Sequence, residues 1–248
     1  QAEVANVITG MFPDLMGEDR YEIDRSHWPL GAVWTIDGKK GGPSYEWGPP
    51  PDIKNFWDLE TECQKRTFAF IDKNVEAKKP FFVAYQPILS AFFPDPRATS
   101  KLTANKNLLQ EGLVKIDAFV GELLKHLEEK GIAENTLVIV MADNGPFTHY
   151  GPRGMVETLY TGGKGDFTEG GVRVPCLATW PGVIEPGQIV GDIIHVTDLF
   201  TTFATLAGAT QYIPTDRVID GVDQTSLFLN GDGHSRRDYV MIYQGPNL

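Results

Sequence analysis

The chain has 248 residues, 42% hydrophobic and 22% charged, with a formal net charge of −11 at pH 7. This is globular composition, long enough for one large domain or two small ones, and it excludes a fibrous or disordered chain. The acidic balance argues against nucleic acid or an anionic membrane as the main partner, because both reward clustered Lys and Arg, but it is compatible with a small anion held in a locally positive site or with bound cations.

Residues 1–55 are poorly periodic and rich in Gly, Pro and Trp, with Gly-Gly-Pro at 41–43 and three prolines at 49–51, and read as a loop-rich excursion. From Trp57 to Lys73, Leu59, Cys63 and Phe70 recur at helical spacing among charges, which predicts a helix. Phe81-Phe82-Val83-Ala84-Tyr85 is aromatic and β-branched and predicts a short buried strand. The clearest helix is expected over Asn105 to Lys130, where Leu109, Leu113, Ile116, Val120, Leu123 and Leu127 form one apolar stripe and Gly131 is the stop. Thr136 to Ala142 is nearly continuously apolar, the pattern of a strand inside a sheet covered on both faces. Val172 to Trp180 is a further strand candidate, with Pro175 arguing for an edge or irregular position. Asp198 to Ala207 carries Phe200, Phe203, Ala204 and Leu206 and predicts a helix ended by Gly208. Strand and helix alternate, so the expected class is α/β with a mostly parallel sheet flanked by helices. There is no internal repeat and no low-complexity tract.

Cys63 and Cys176, the two cysteines, lie far apart and outside any metal-ligand pattern; buried free thiols are expected rather than a disulfide. No apolar run approaches the roughly 18 residues of a membrane span, and no signal peptide is visible in a chain that starts with Gln1.

In open α/β sheets, ligands bind beyond the carboxyl ends of strands. The strand ending at Ala142 is followed by Asp143-Asn144-Gly145. A carboxylate and an amide oxygen at that place can coordinate a hard cation, while the same tripeptide also makes an ordinary turn. Residues 162–171 read Gly-Gly-Lys-Gly-Asp-Phe-Thr-Glu-Gly-Gly. A lysine between glycines can approach a sulfate or phosphate oxygen closely, or it can be a solvated lysine in a flexible loop; the spacing is not that of a phosphate-binding loop.

Taken in order, Asp143-Asn144-Gly145-Pro146, then Gly163-Lys164-Gly165, then Glu169-Gly170-Gly171-Val172-Arg173-Val174-Pro175, then Trp180-Pro181-Gly182, resemble the sulfatase family (arylsulfatase-like) of the alkaline phosphatase superfamily. Pro80-Phe81-Phe82, Thr197-Asp198-Leu199-Phe200 through Gly208, and Asp220-Gly221-Val222-Asp223 are similar to flanking family segments, so that the resemblance covers about residues 60 to 230. It implies an alkaline phosphatase-like fold, with residues 1–230 as a partial catalytic domain and 231–248 as the start of a smaller C-terminal subdomain whose first sheet strand is Tyr239 to Tyr243. It implies hydrolysis of a sulfate ester, on a small molecule or a carbohydrate. Asp143 and Asn144 match two calcium ligands (magnesium being the lesser alternative), and Lys164 matches the lysine that contacts the sulfate.

The family's nucleophile is a formylglycine made within a Cys/Ser-x-Pro-x-Arg motif. No such motif occurs here: Cys63 is followed by Gln-Lys-Arg and Cys176 by Leu-Ala-Thr. The formylglycine is therefore expected in an N-terminal half outside this chain, and the chain alone is expected to be inactive. Phe92 stands where the family usually has a histidine, in Ser90-Ala91-Phe92-Phe93-Pro94, which puts the handling of the leaving group in doubt. His149, five residues after the metal pair, is a candidate acid or base, though its position reads first as a surface loop histidine. His195 reads as structural, and Arg173 as a structural partner for Glu169 or a nearby acid rather than as a substrate contact. The alternatives are a phosphonate monoester or phosphodiester hydrolase of the same superfamily, or a non-catalytic binding module. Family habit points to a secreted or periplasmic protein; oligomeric state is left open.

Overall fold

The computed structural model describes residues 36–38, 44–46, 56–87, 108–146, 159–230 and 234–243. The chain divides into two compact units, Gln1–Phe119 and Val120–Leu248.

In the first unit, β1 (Ile36–Gly38) pairs antiparallel with β2 (Ser44–Glu46), Asp37 opposite Tyr45. Helix α1 runs Phe56–Glu76, close to expectation. Arg66 and Glu62 pair one turn apart at 3.1 Å, and Asn74 Nδ2 donates to the Phe70 carbonyl at 2.8 Å near the C-terminus. The helix stops where Lys78 enters the left-handed region at φ 51°, just ahead of Pro80. Helix α2 spans Leu108–Glu129 and straddles the two units. Its Phe119 is buried against Phe68 (ring centroids 5.7 Å, edge-on) and Tyr85 (4.6 Å, tilted), aromatic contacts worth about 0.5–1.5 kcal/mol each beyond area burial. The strand expected at Phe81–Tyr85 is not formed: exposure alternates along it and Phe82 is 69% exposed. Aromatic alternation suits extended backbone, but a strand also needs a ladder partner, and among the described residues this segment has none.

In the second unit, α2 ends as expected at Gly131 (φ 69°), where Gly131 N–H donates to Glu128 O and Ile132 N–H to Leu127 O. That crossed pair is a Schellman cap, which requires left-handed backbone at the glycine. A single 3₁₀ turn, Ala133–Asn135, leads to β3 (Val138–Met141). Its partner is β4 (Cys176–Thr179), antiparallel, with Val138 opposite Thr179 and Met141 opposite Cys176. The expected mostly parallel sheet is not seen: among the described residues both sheets are two-stranded and antiparallel. The burial expected of a central strand is not seen either, since β3 is half-buried along Val138 to Val140 and Met141 is exposed. The strand expected from Val172 starts only at Cys176, because Glu169–Val172 form the short helix α3, closed by Arg173 N–H donating to Glu169 O.

Helix α4 (Val196–Leu206) has His195 as its N-cap, in a capping box. Thr197 N–H donates to His195 Nδ1, and His195 N–H donates to Asp198 Oδ2 at 2.9 Å. Gly208 (φ 62°) closes its C-terminus with a second Schellman cap, Gly208 N–H to Thr205 O and Ala209 N–H to Ala204 O. Helix α5 covers Thr225–Asn230. Tyr239 to Tyr243, expected as the first strand of a smaller sheet, forms no strand, and Tyr239, Met241 and Tyr243 are exposed. Their β-propensity is high, but no described strand lies beside them. Both cysteines are free, as expected, but neither is buried: Cys63 is half-buried and Cys176 exposed. No helix among the described residues is long and apolar enough to cross a membrane.

Candidate functional site

The residues singled out from sequence converge where β3 ends. Ala142 N–H donates to Pro175 O at 3.3 Å, the last rung between the two strands, and the chain then turns through Asp143, Asn144 and Gly145. Asp143 is exposed, and among the described residues no hydrogen bond or ion pair engages its carboxylate. Asn144 Nδ2 donates to its neighbour's carbonyl, Gly145 O, at 2.8 Å, and among the described residues the amide oxygen of that side chain has no hydrogen bond. One carboxylate and one amide oxygen are hard donors of the kind calcium or magnesium takes. Two donors are a minority of the six to eight that calcium binds, roughly. Among the described residues no group of three or more His, Cys, Asp or Glu is placed to hold a metal.

Lys164 stands at the apex of a tight turn. Asp166 N–H donates back to Gly163 O at 2.9 Å, and Gly165, at the third position, has φ 94°. That is a type II turn, whose third residue needs positive φ and so favours glycine. The Asp166 side chain closes it a second time, Oδ2 accepting from Gly163 N–H at 2.8 Å. Sequence reasoning missed this role of Asp166; its signal was an aspartate ending a Gly-Lys-Gly turn, where short polar side chains bond local backbone.

Two backbone hydrogen bonds join the turn to the strand end. Gly145 N–H donates to Gly171 O at 2.8 Å, and Lys164 N–H donates to Pro146 O at 2.8 Å. The approach is so close that a Cβ on Gly145 would run into the Gly170 carbonyl, and one on Gly170 or Gly171 into the backbone of residues 161–163 or 166. Gly145 therefore lets the segment bearing Asp143 and Asn144 close onto the 170–171 backbone, while Gly170 and Gly171 let that backbone close onto the residues around Lys164. Lys164 is half-buried. Arg173 pairs with Glu169 at 3.3 Å, as expected. His149 and Phe92, together with the loop Ser90–Pro94, lie outside the described residues.

The Sulfatase family profile matches residues 40–209, well over half of the chain. Steryl-sulfatase of Rattus norvegicus is 36% identical over 179 residues, which is 70% of this chain and 30% of that enzyme. Arylsulfatase A of Homo sapiens is 37% identical over 166 residues, 66% of this chain and 32% of that enzyme. Among solved structures, the PsFucS1 sulfatase from Pseudoalteromonas sp. superposes with a TM-score of 0.73 at 32% identity, covering 82% of this chain and 40% of that one. The chain thus spans about a third of the length of the curated relatives it matches. By the extent of the profile match and by these relatives, the chain belongs to the sulfatase family.

Proposed function

We propose that this chain supplies the second half of a calcium-dependent sulfuric ester hydrolase site, in which Asp143 and Asn144 are two of the metal ligands and Lys164 binds the sulfate. The observation that carries the reading is the pair of backbone hydrogen bonds, Gly145 N–H to Gly171 O and Lys164 N–H to Pro146 O, that tie the hard-oxygen donors and the lysine turn into one unit. A metal bound there would supply charge neutralisation to the sulfate oxygens. Lys164 adds a compact ammonium on a turn closed by two hydrogen bonds and joined to Pro146 O by its own N–H, so the backbone that carries it is fixed.

The chain holds no Cys/Ser-x-Pro-x-Arg, and we assign the formylglycine nucleophile and the remaining metal ligands to sequence outside these 248 residues. The substrate is proposed to be an organic sulfate ester, on a small molecule or a carbohydrate. Relatives named for steryl sulfate and for N-acetylgalactosamine-6-sulfate support that class without choosing within it.

The test is turnover of a fluorogenic aryl sulfate by the longest polypeptide that the reading frame encodes. It is expected to turn over the sulfate faster than the matching aryl phosphonate. Lys164→Ala is expected to lower kcat/KM by about 10²–10³, the usual cost of removing one charge-stabilising donor. A wild-type polypeptide that preferred the phosphonate, or one unaffected by Lys164→Ala, would overturn the assignment.

A further inference from the structure

The lysine turn belongs to a loop whose two ends meet. The Arg173 guanidinium lies over the Tyr160 ring, 4.6 Å from its centroid. Inside that contact, Gly170 N–H and Thr168 Oγ1 both donate to Thr161 O, at 2.9 and 2.6 Å. On its other side Arg173 is held by Glu169 at 3.3 Å, and its own N–H caps α3. Residues 160 and 173 are thus the neck of a closed loop with Lys164 at the far turn.

We propose that Arg173 is a positioning residue for Lys164: by stacking on Tyr160 and pairing with Glu169 it closes the neck of the 160–173 loop and fixes where the lysine turn stands against the Asp143-Asn144 strand end. The inference rests on the reading of Lys164 as the sulfate contact. Arg173 suits the role because its planar guanidinium can stack on a ring through its face and bond a carboxylate through its edge at once. Both Arg173 and Glu169 are more than half exposed, so the pair by itself adds little to global stability. Its effect is local, and local displacement is what a binding lysine is sensitive to, since a shift of about 1 Å at a reacting centre can cost around a hundredfold in rate. The interlocked glycines hold the turn from one side, and the Arg173 neck holds the loop from the other.

Amide hydrogen exchange of this chain tests the positioning, and turnover by the longer polypeptide tests its consequence. Arg173→Met and Tyr160→Leu are each expected to speed exchange of the 161–166 amides by about threefold or more, with β3, β4 and α4 unchanged. Tyr160→Phe keeps the ring and should restore slow exchange. The double variant should be no faster than either single one, because both break the same contact. Arg217→Met, which breaks the equally exposed pair with Asp216 at 2.8 Å, is the control and should leave the loop unchanged. In turnover, Arg173→Met should raise KM for the aryl sulfate, and the inhibition constant for inorganic sulfate with it, about fivefold, as loss of around 1 kcal/mol implies. Unchanged loop exchange, or faster exchange spread over the whole unit, would overturn the proposal. A wild-type protein that turns over no sulfate ester while Arg173→Met still loosens the loop would instead remove the reading of Lys164 and leave the mechanical role of Arg173 standing.

Discussion

Arg237 closes on the carboxylate of Asp198 with both faces of its fork, Nε reaching Oδ2 at 2.9 Å and Oδ1 at 3.1 Å, and Nη2 reaching Oδ1 at 2.5 Å. Asp198 is 1% exposed and also accepts from the backbone N–H groups of His195 and Val222, both at roughly 3 Å or less. One side chain therefore caps α4, fixes the segment before α5 and anchors the stretch that starts at Ser235. The fully buried Gln224 extends the same network: its N–H donates to Thr202 Oγ1, its Nε2 to Ser235 Oγ, and its Oε1 accepts from Arg236 N–H. A buried pair of this kind is weak evidence of net stabilisation, but breaking it leaves an uncompensated charge. Arg237→Met is expected to cost about 3–5 kcal/mol, read as a drop in the urea midpoint without a change in slope.

The same carboxylate sets an acid limit. Burial alone would raise the Asp198 pKa, but the Arg237 hydrogen bonds, those from Val222 and His195, and the Arg237 charge outweigh it and bring it down to about 2. Because the folded value lies below the unfolded one, near 3.9 or so, the group stabilises the fold fully above that value and loses the contribution as pH falls toward 2. Thermal unfolding should therefore show stability declining between about pH 4 and pH 2, and Asp198→Asn should flatten that part of the profile. A variant that lost stability in parallel with wild type across the window would show that other carboxylates set it.

The glycine interlock predicts opposite signs for chemically identical substitutions. Gly145→Ala would drive a methyl into the Gly170 carbonyl and should cost about 2–4 kcal/mol, or force the lysine turn away from the strand end. Gly121→Ala meets nothing within 4 Å and sits exposed within α2, so it should stabilise by about 0.5–1 kcal/mol. Denaturant titration of both variants checks the pair, and equal effects would contradict the interlock.

What the sequence disclosed follows how local each feature is. Helices α1, α2 and α4 were legible because apolar spacing and end signals lie within one segment, and Gly131 and Gly208 stop their helices through the same left-handed cap. The direction of β3 against β4 was not legible: an apolar run states that a strand is buried, not which strand lies beside it, and the partner here is some 35 residues away in sequence. Val172 was misplaced for a related reason, since Arg173 N–H bonds Glu169 O and turns a β-branched residue into the last turn of α3. At the site, the residue types of Asp143, Asn144 and Lys164 and their order were readable, but what joins them is backbone to backbone. Gly145 to Gly171 is a hydrogen bond that no side chain encodes.

If Asp143 and Asn144 are metal ligands, the polypeptide that turns over aryl sulfate should lose activity in a calcium chelator and regain it with added calcium more readily than with magnesium. Asp143→Ala removes the only carboxylate of the pair and should weaken calcium affinity by 10-fold or more, roughly, measured by terbium luminescence as well as by activity. Asp143→Asn, which keeps an oxygen but loses the charge, should fall between. Activity that persisted after chelation, with no metal left by elemental analysis, would contradict the metal assignment.

The two thiols should separate by rate. Cys63 is half-buried on α1, and its pKa is pushed up to about 11 by burial first and then by Glu60, with Arg66 opposing weakly. The thiolate is the reactive form, so at pH 8 only about one Cys63 in a thousand is poised to react. Cys176 is exposed on β4; partial burial of its thiol also raises its pKa, but no carboxylate adds to that as Glu60 does at Cys63. Labelling with a disulfide reagent at pH 8 should therefore modify Cys176 first and Cys63 distinctly later, with peptide mapping to assign each phase. Raising the pH toward 10 should speed the slow phase in proportion to thiolate, about tenfold per pH unit, since Cys63 remains below its pKa throughout. A slow phase insensitive to pH would mean that opening of the α1 packing, rather than ionisation, limits access to Cys63.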